Sequence, residues 1–471
     1  MSRFLFLLIL VGCVPSVPPP REPNRAVPSS FGGGPPSAQT TSAAQRTWDE
    51  LFASPDLRAL ITTALEHNQE LSIQLQEIVI AATESTAARG EYRPRVDAFA
   101  GAGIEKVGEH TPQGVSDEAH DVPIHLTDFS FGLRASWEVD IWKKLRNAAK
   151  AADLRYLASV EARNFMVTQI VAEIARSYFE LISLDNQLEV LANNIALQTS
   201  ALEVVQLQKQ AARVTELAVR RFEAELLKNR SRLFDLEQQR IQTENRINFL
   251  VGRFPQHVAR DPSSLRASAP TPIAAGLPSE LLANRPDVRQ AELELAASKL
   301  DVRAARAAFY PSVSIEAGVG YRSFNAAHLL STPASIFYDL AGGLTAPLLN
   351  RTAITAHYRA ANARQLQAVF TYERTLLQAF TDVVNQLATV DNLARSYDLQ
   401  QQQVDSLARA SETSMILFQS ARADYMEVLL TRREALDAEM ELIETRKRQL
   451  QAMVNIYQAL GGGWRTGTGA R

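Results

Sequence analysis

The sequence predicts a mainly α-helical chain that also contributes β-strands to a transmembrane barrel, arranged as two copies of one unit. Three observations carry this. Short motifs recur at an offset of about 210 residues, and each half holds more than 110 residues free of Gly and Pro. Four segments of about ten residues change their apolar period from 3.5 to 2. The first observation implies a tandem duplication, the second long coiled coils, and the third strands with one apolar and one polar face.

Composition narrows the class of protein before any element is placed. The 471 residues carry 49 Lys+Arg against 52 Asp+Glu, a net charge of −3. No basic field for nucleic acid follows from this balance. Hydrophobic residues make up 46% and charged residues 21%, enough apolar material for a large core. The single cysteine excludes a disulfide framework, a cysteine-based zinc site and an iron–sulfur cluster within one chain. Nucleophile-elbow, phosphate-loop and HExxH motifs are absent, so no catalytic residues are assigned and an enzyme is not expected.

At the N-terminus, Arg3 precedes an apolar run from Phe4 to Val11 that is too short to span a bilayer and suits a secretory signal over 1–12. The run ends in Leu10-Val11-Gly12-Cys13, which resembles the bacterial lipoprotein box. That resemblance implies acyl chains on Cys13, and Val14 after it implies sorting to the outer membrane. Residues 13–47 are rich in Pro, Ser and Gly and are expected to form a tether. No later stretch is a continuous apolar 18-mer, so any membrane span must be built from strands.

The duplication is read from three places in the same order. Tyr92-Arg93-Pro94 with Ala100-Gly101-Ala102-Gly103 recurs as Phe309-Tyr310-Pro311 with Ala317-Gly318-Val319-Gly320. Leu181 with Asp185-Asn186 recurs as Leu387 with Asp391-Asn392, and Ile247 with Val251-Gly252 recurs as Ile456 with Leu460-Gly461. The repeats are placed at 48–255 and 276–464, with a linker at 256–275 and a tail at 465–471. No Gly or Pro occurs from Leu133 to Val251 or from Leu348 to Leu460. Alternating steps of three and four from Val167 visit Ile170, Ile174, Ser177, Leu181, Leu184, Leu188, Leu191, Ile195, Gln198, Leu202 and Val205, and only Ser177 and Gln198 interrupt the apolar seam. A single helix from about Ala148 to Gln210 would be roughly 90 Å long.

Strands are expected at about 95–106, 129–140, 312–322 and 336–346. In the second, Phe129, Phe131, Leu133, Ala135, Trp137 and Val139 alternate with Ser130, Gly132, Arg134, Ser136 and Glu138. The first and third alternate in the same manner, with Phe99 breaking the polar face, and the fourth row is Ile336, Tyr338, Leu340, Gly342 and Leu344. Four strands cannot close a barrel, and an open edge cannot lie in lipid. Several copies must therefore combine, and eight, twelve or sixteen strands are all compatible with the sequence. His110, His120, His125 and His328 fall in the connecting loops without metal-site spacing.

These residues resemble a known family, the outer-membrane efflux factors or TolC-like channel-tunnels, in their lipoprotein branch. The matching segments are Trp48 with Leu51-Phe52, Pro55 to Leu60, Ala64 to Asn68, Leu282-Ala283-Asn284-Arg285-Pro286-Asp287-Val288, Ala304 to Pro311, and Leu460 to Trp464. The resemblance implies a homotrimer with a 12-stranded barrel in outer-membrane lipid and a helical tunnel in the periplasm. It further implies a passive export duct, opened by a periplasmic adaptor protein and driven by an inner-membrane pump of the RND type. The adaptor-docking tips would be Ala212, Arg213, Val214, Thr215 and Glu216, and Ala421, Arg422, Ala423, Asp424 and Tyr425. Members usually carry Gly where Ala212 and Ala421 stand, and some place an acidic latch where Ala218 stands. The acidic gate position of the family falls on Leu430, so the gate is assigned to Glu427, with Asp424, Leu430 and Arg433 beside it. Three copies of Glu427 around an axis would form an acidic ring, although Asp424, Glu427 and Arg433 equally suit a solvated helix face. No cofactor or metal is implied beyond the lipid on Cys13. Two alternatives share much of this reading: the duct of a type I protein secretion system, and a non-channel periplasmic scaffold lipoprotein.

Overall fold

The computed structural model describes residues 14–19, 21–31, 43–267, 276–420 and 422–465. Cys13 and Ala421 lie outside the described residues. In chain order the elements are α1 (Trp48–Leu51), α2 (Pro55–His67), α3 (Gln69–Glu91), β1 (Arg95–Glu105), α4 (Pro112–Ala119), β2 (Leu126–Val139), α5 (Lys144–Gln210), α6 (Glu216–Val251), α7 (Ser264–Ala267), α8 (Leu281–Asn284), α9 (Pro286–Ala307), β3 (Ser312–Ser323), β4 (Ile336–Thr345), α10 (Thr352–Gln419) and α11 (Tyr425–Ala459). The fold is mainly helical, with one four-stranded antiparallel sheet. The breaker-free stretches form helices of 67 and 68 residues, each followed after a short turn by one of about half that length. No described helix is long and apolar enough to cross a membrane.

Two compact units divide the chain, and they cut across the sequence repeats, since each takes stretches from both. The first comprises residues through Pro23, Ile78–Ala158 and Glu292–Thr371. Its sheet runs β1-β2-β3-β4. The register sets Arg95 opposite Ser136, Phe129 opposite Ser323, and Ser312 opposite Thr345. Asp140 starts α5 by accepting hydrogen bonds from the amides of Leu145 (3.2 Å) and Arg146 (2.9 Å), which satisfies two donors that a helix N-terminus leaves open. Below the strands, the Trp142 ring stacks on Tyr310 with centroids 4.8 Å apart and its indole N–H donates to the Pro311 carbonyl at 2.8 Å. The loop between β1 and β2 is not irregular throughout: Thr111 caps α4 by accepting from the Gly114 amide, and Pro112 occupies its first turn.

The second unit comprises Asn24–Glu77, Ser159–Ala291 and the chain from Tyr372 onward. Its core gathers Leu57, Ile61 and Ala64 of α2, Ile174, Tyr178, Leu181, Ile182 and Leu191 of α5, Ile247 and Val251 of α6, and Met440, Leu450 and Val454 of α11. The duplication becomes a structural repeat here. Gly252 and Gly461 follow the ends of α6 and α11, both left-handed, at φ 78° and 87°. Each is pressed against backbone: an added Cβ would lie 2.3 Å from the His67 carbonyl oxygen and 2.5 Å from that of Asn284. The next residue along the chain from each of those carbonyls then caps the ended helix. Asn68 Nδ2 donates to Leu250 O at 2.8 Å, and Arg285 Nη1 donates to Ala459 O at 3.0 Å. Asn68 Oδ1 also accepts from the Leu71 amide at the start of α3, while Arg285 is held by Asp287 in the first turn of α9 (2.6 Å) and by Asp382 (3.4 Å).

The tether expectation is corrected for part of residues 13–47. Within the first unit, the Arg21 carbonyl accepts from Gln365 Nε2, the Arg21 guanidinium lies over the Phe370 ring at 4.8 Å, and Glu22 pairs with Lys299 at 2.7 Å. Within the second, the Asn24 amide donates to Glu373 and the Phe31 ring stacks on Phe380 at 5.5 Å. Composition alone predicted no packing here, but a few long side chains against a helix offset the ordering cost locally.

Candidate functional site: a two-faced sheet and two helix turns

Register makes the sheet strictly two-faced. Paired residues in adjacent strands point to the same side, so Asp97, Arg134, Gly318 and Asp339 form one row. Followed through every row, all nine charged residues of the strands lie on that side: Arg95, Asp97, Glu105, Asp128, Arg134, Glu138, Glu316, Arg322 and Asp339. None lies on the other, where Val96, Leu133, Val319 and Leu340 stand with Phe129, Phe131, Trp137, Tyr321 and Tyr338. Phe131 and Tyr321 stack there at 5.3 Å, and Tyr338 and Leu340 are 85% and 77% exposed. Apolar side chains so bare in a single chain suit a lipid environment, with the charged face toward water. Among the described residues, β1 and β4 each pair on one side only.

Phe99, the exception in the sequence pattern, is resolved by the same register. Its row is Phe99, Gly132, Gly320 and Phe337, and the two rings meet across the glycines with centroids 6.3 Å apart. A Cβ on Gly132 or Gly320 would lie 2.4 or 2.2 Å from a neighbouring carbonyl oxygen.

The first helix turn joins α5 to α6. The Ala212 amide donates to Lys209 O at 2.9 Å and the Arg213 amide to Gln208 O at 2.8 Å, the paired bonds of a Schellman motif. Its left-handed position, at φ 56°, is occupied by Ala212. Val214 packs with Tyr425 and Leu429 against Ala201, Val205, Ala218, Val219 and Phe222. Ala218 is thus fully buried in an apolar cluster. Thr215 precedes α6, and the Glu216 carboxylate is held by Lys209 and Arg220. The hydrogen bond from Lys209 leads the effects that keep its pKa below the usual glutamate value.

The second turn joins α10 to α11. The Arg422 amide donates to Leu417 O at 2.9 Å, and Asp424 stands at the N-cap of α11 without a side-chain cap bond. Arg422 and Asp424 are exposed; Ala423 and Tyr425 are half-buried. Glu427, Leu430 and Arg433 are all exposed on α11. At 100° per residue, Glu427, Leu430 and Asp424 fall within one face, whereas Arg433 lies about a third of a turn away. Glu434 joins that face and was missed from sequence; its spacing of seven from Glu427 was the available signal. Neither glutamate forms an ion pair among the described residues. The side of α6 away from its buried residues carries Leu227, Phe234 and Ile241 at seven-residue intervals, each exposed. Among the described residues, no three His, Cys, Asp or Glu side chains gather as a metal site.

Comparisons with known proteins agree with this architecture. The family model for outer membrane efflux proteins matches residues 60–253 and 277–462, one match in each repeat. The chain is 30% identical over 464 residues to the pyoverdine export outer membrane protein OpmQ of Pseudomonas aeruginosa, covering 97% of this chain and 96% of that protein. It is 27% identical to the probable outer membrane lipoprotein SilC of Salmonella typhimurium, with 97% of each chain covered. The open state of the outer membrane channel MtrE of Neisseria gonorrhoeae superimposes with a TM-score of 0.83 at 24% identity, covering 96% of this chain and 98% of that one. Members of this family are channel and transport proteins of the outer membrane, and the chain belongs to it: it is an outer membrane efflux protein.

Proposed function

We propose that three copies of the chain form a passive export duct across the outer membrane, tethered by a lipid on Cys13. The observation that carries this reading is the sheet, with every charge on one face and with two edge strands unpaired. In lipid those edges need partners, and β4 of one copy beside β1 of the next supplies them, closing twelve strands. The bare heptad row on α6 gives neighbouring copies a helical seam. The turn residues 212–216 and 422–425 are the docking surface for a periplasmic adaptor that couples the duct to an inner-membrane pump. Glu427 and Glu434, brought threefold around the axis, form the acidic constriction. The two-faced sheet favours this over a soluble scaffold, which would have to cover the apolar face.

Single-channel conductance of detergent-purified protein in a planar bilayer, with oligomer mass measured on the same sample, tests the reading. A trimer with small, cation-preferring currents that lose their preference in Glu427→Ala is the expected result. A single-chain species without current and without β-barrel signature in the infrared would overturn it.

A further inference from the structure

We propose that Phe99 and Phe337, with Asp339 beside them, form a binding site for planar aromatic cations on the charged face of the sheet. This rests on the duct reading, in which that face lines the barrel lumen. Four observations lead to it. The two rings belong to β1 and β4, the outer strands, whose backbones are separated by three strand spacings, about 14 Å, yet the centroids stand 6.3 Å apart. The rings therefore lean toward each other across Gly132 and Gly320, which put no side chain of their own between them.

The rings are also the only half-buried residues of their strands, the others being exposed. Half-buried rather than buried, each ring keeps part of its surface open to the lumen. A cation is already seated on one of them: the Arg134 guanidinium carbon lies 5.2 Å from the Phe99 centroid. The negative face of an aromatic ring attracts such a group, and attracts it more strongly where water is partly excluded. A flat aromatic cation offers the same charge together with a surface that stacks.

Charge selects the sign of the ligand. The face carries six carboxylates against three guanidinium groups, counted over the four strands. Asp97 is engaged by Arg95 and Asp128 by Arg322. Asp339, two residues beyond Phe337 on the same side, and Glu316, diagonal to it, form no ion pair among the described residues. A lumen so charged concentrates cations and repels anions. The site thus discriminates twice, by ring stacking and by charge, at a point every exported molecule passes.

The test is a titration of the purified full chain in detergent at low salt, with ethidium as the aromatic cation and 1-naphthalenesulfonate as the aromatic anion, read by fluorescence anisotropy. The variant Phe99→Leu/Phe337→Leu keeps the apolar volume and removes the π faces; Asp339→Asn removes the nearest unpaired charge. Saturable ethidium binding is expected, weaker by about tenfold in the double variant and less sensitive to salt in Asp339→Asn, with no saturable binding of the sulfonate. Unchanged ethidium affinity in the double variant, or equal binding of cation and anion, would overturn the proposal. Both rings lie in one chain, so a sample found to be monomeric by mass would refute the trimer while the titration still decides the site.

Discussion

Replacing Ala212 by glycine should steady the turn between α5 and α6. The position is the left-handed residue of a Schellman motif, at φ 56°, and an L-residue there carries about 1–2 kcal/mol of steric cost. Glycine removes that cost but gives the unfolded chain more freedom, returning about 0.4–1 kcal/mol. The net gain is about 0.5–1 kcal/mol, which by the tenfold-per-1.4-kcal/mol rule corresponds to roughly two- to fivefold slower local opening. The same chain provides the internal contrast. Gly252 ends α6 in the same motif, with amide bonds from Gly252 to Phe249 O and from Arg253 to Asn248 O, and already carries glycine. There Gly252→Ala meets both the left-handed strain and the His67 carbonyl 2.3 Å away, so its sign is reversed. Amide hydrogen exchange followed by mass spectrometry on peptides covering 205–216 and 245–256 reads both. Unchanged or faster exchange at 205–216 in Ala212→Gly would refute the argument, because it would mean the turn relaxes its strain elsewhere.

Other outcomes follow from the same geometry. Ile315→Lys places a charge on the apolar face and should cut the folded, membrane-inserted fraction, at a cost of about 1–3 kcal/mol, between the interface and midplane values because it stands toward one end of β3; Ser314→Lys, on the charged face, should insert normally, as measured by proteoliposome flotation. Arg285→Ala leaves Asp287 and the Ala459 carbonyl unpaired in a site where the arginine side chain is only 8% exposed, and should lower stability by about 3–5 kcal/mol, seen as an earlier thermal transition in circular dichroism. Asn68→Ala, its counterpart in the first repeat, should cost less, about 1–3 kcal/mol, because no charge is stranded. Burial opposes ionisation of Glu244, but hydrogen bonds from the Val258 amide and Arg260 outweigh it and hold its pKa below the usual 4.5. Its folded pKa being depressed, its stabilisation is present above pH 4.5 and is lost as pH falls through the folded value. Acid unfolding of Glu244→Gln should therefore show a shallower slope in that window than the parent chain.

Much of the architecture was legible because it is written in short-range periodicity. The two-residue alternation marked strands whose observed bounds, Arg95–Glu105, Leu126–Val139, Ser312–Ser323 and Ile336–Thr345, lie within three residues of those expected. The heptad seam from Val167 marked α5, and the breaker-free stretch from Leu348 marked α10. Residues on one side of one helix or strand are neighbours by local geometry, so spacing alone reveals them.

What only the tertiary structure decided are the meetings of residues far apart in the chain. Phe99 read as a flaw in β1 until the register of three strand pairs brought it to Phe337, 238 residues away, across two glycines. Asn68 and Arg285 share no chemistry that a repeat search would align, yet each caps the helix that ends beside it. The N-terminal segment has the composition of a free tether and still lays Arg21 and Phe31 on the rings of α10. Local pattern determines which face of an element is apolar; which distant face it meets depends on the closure of long loops and on shape, and neither leaves a period in the sequence.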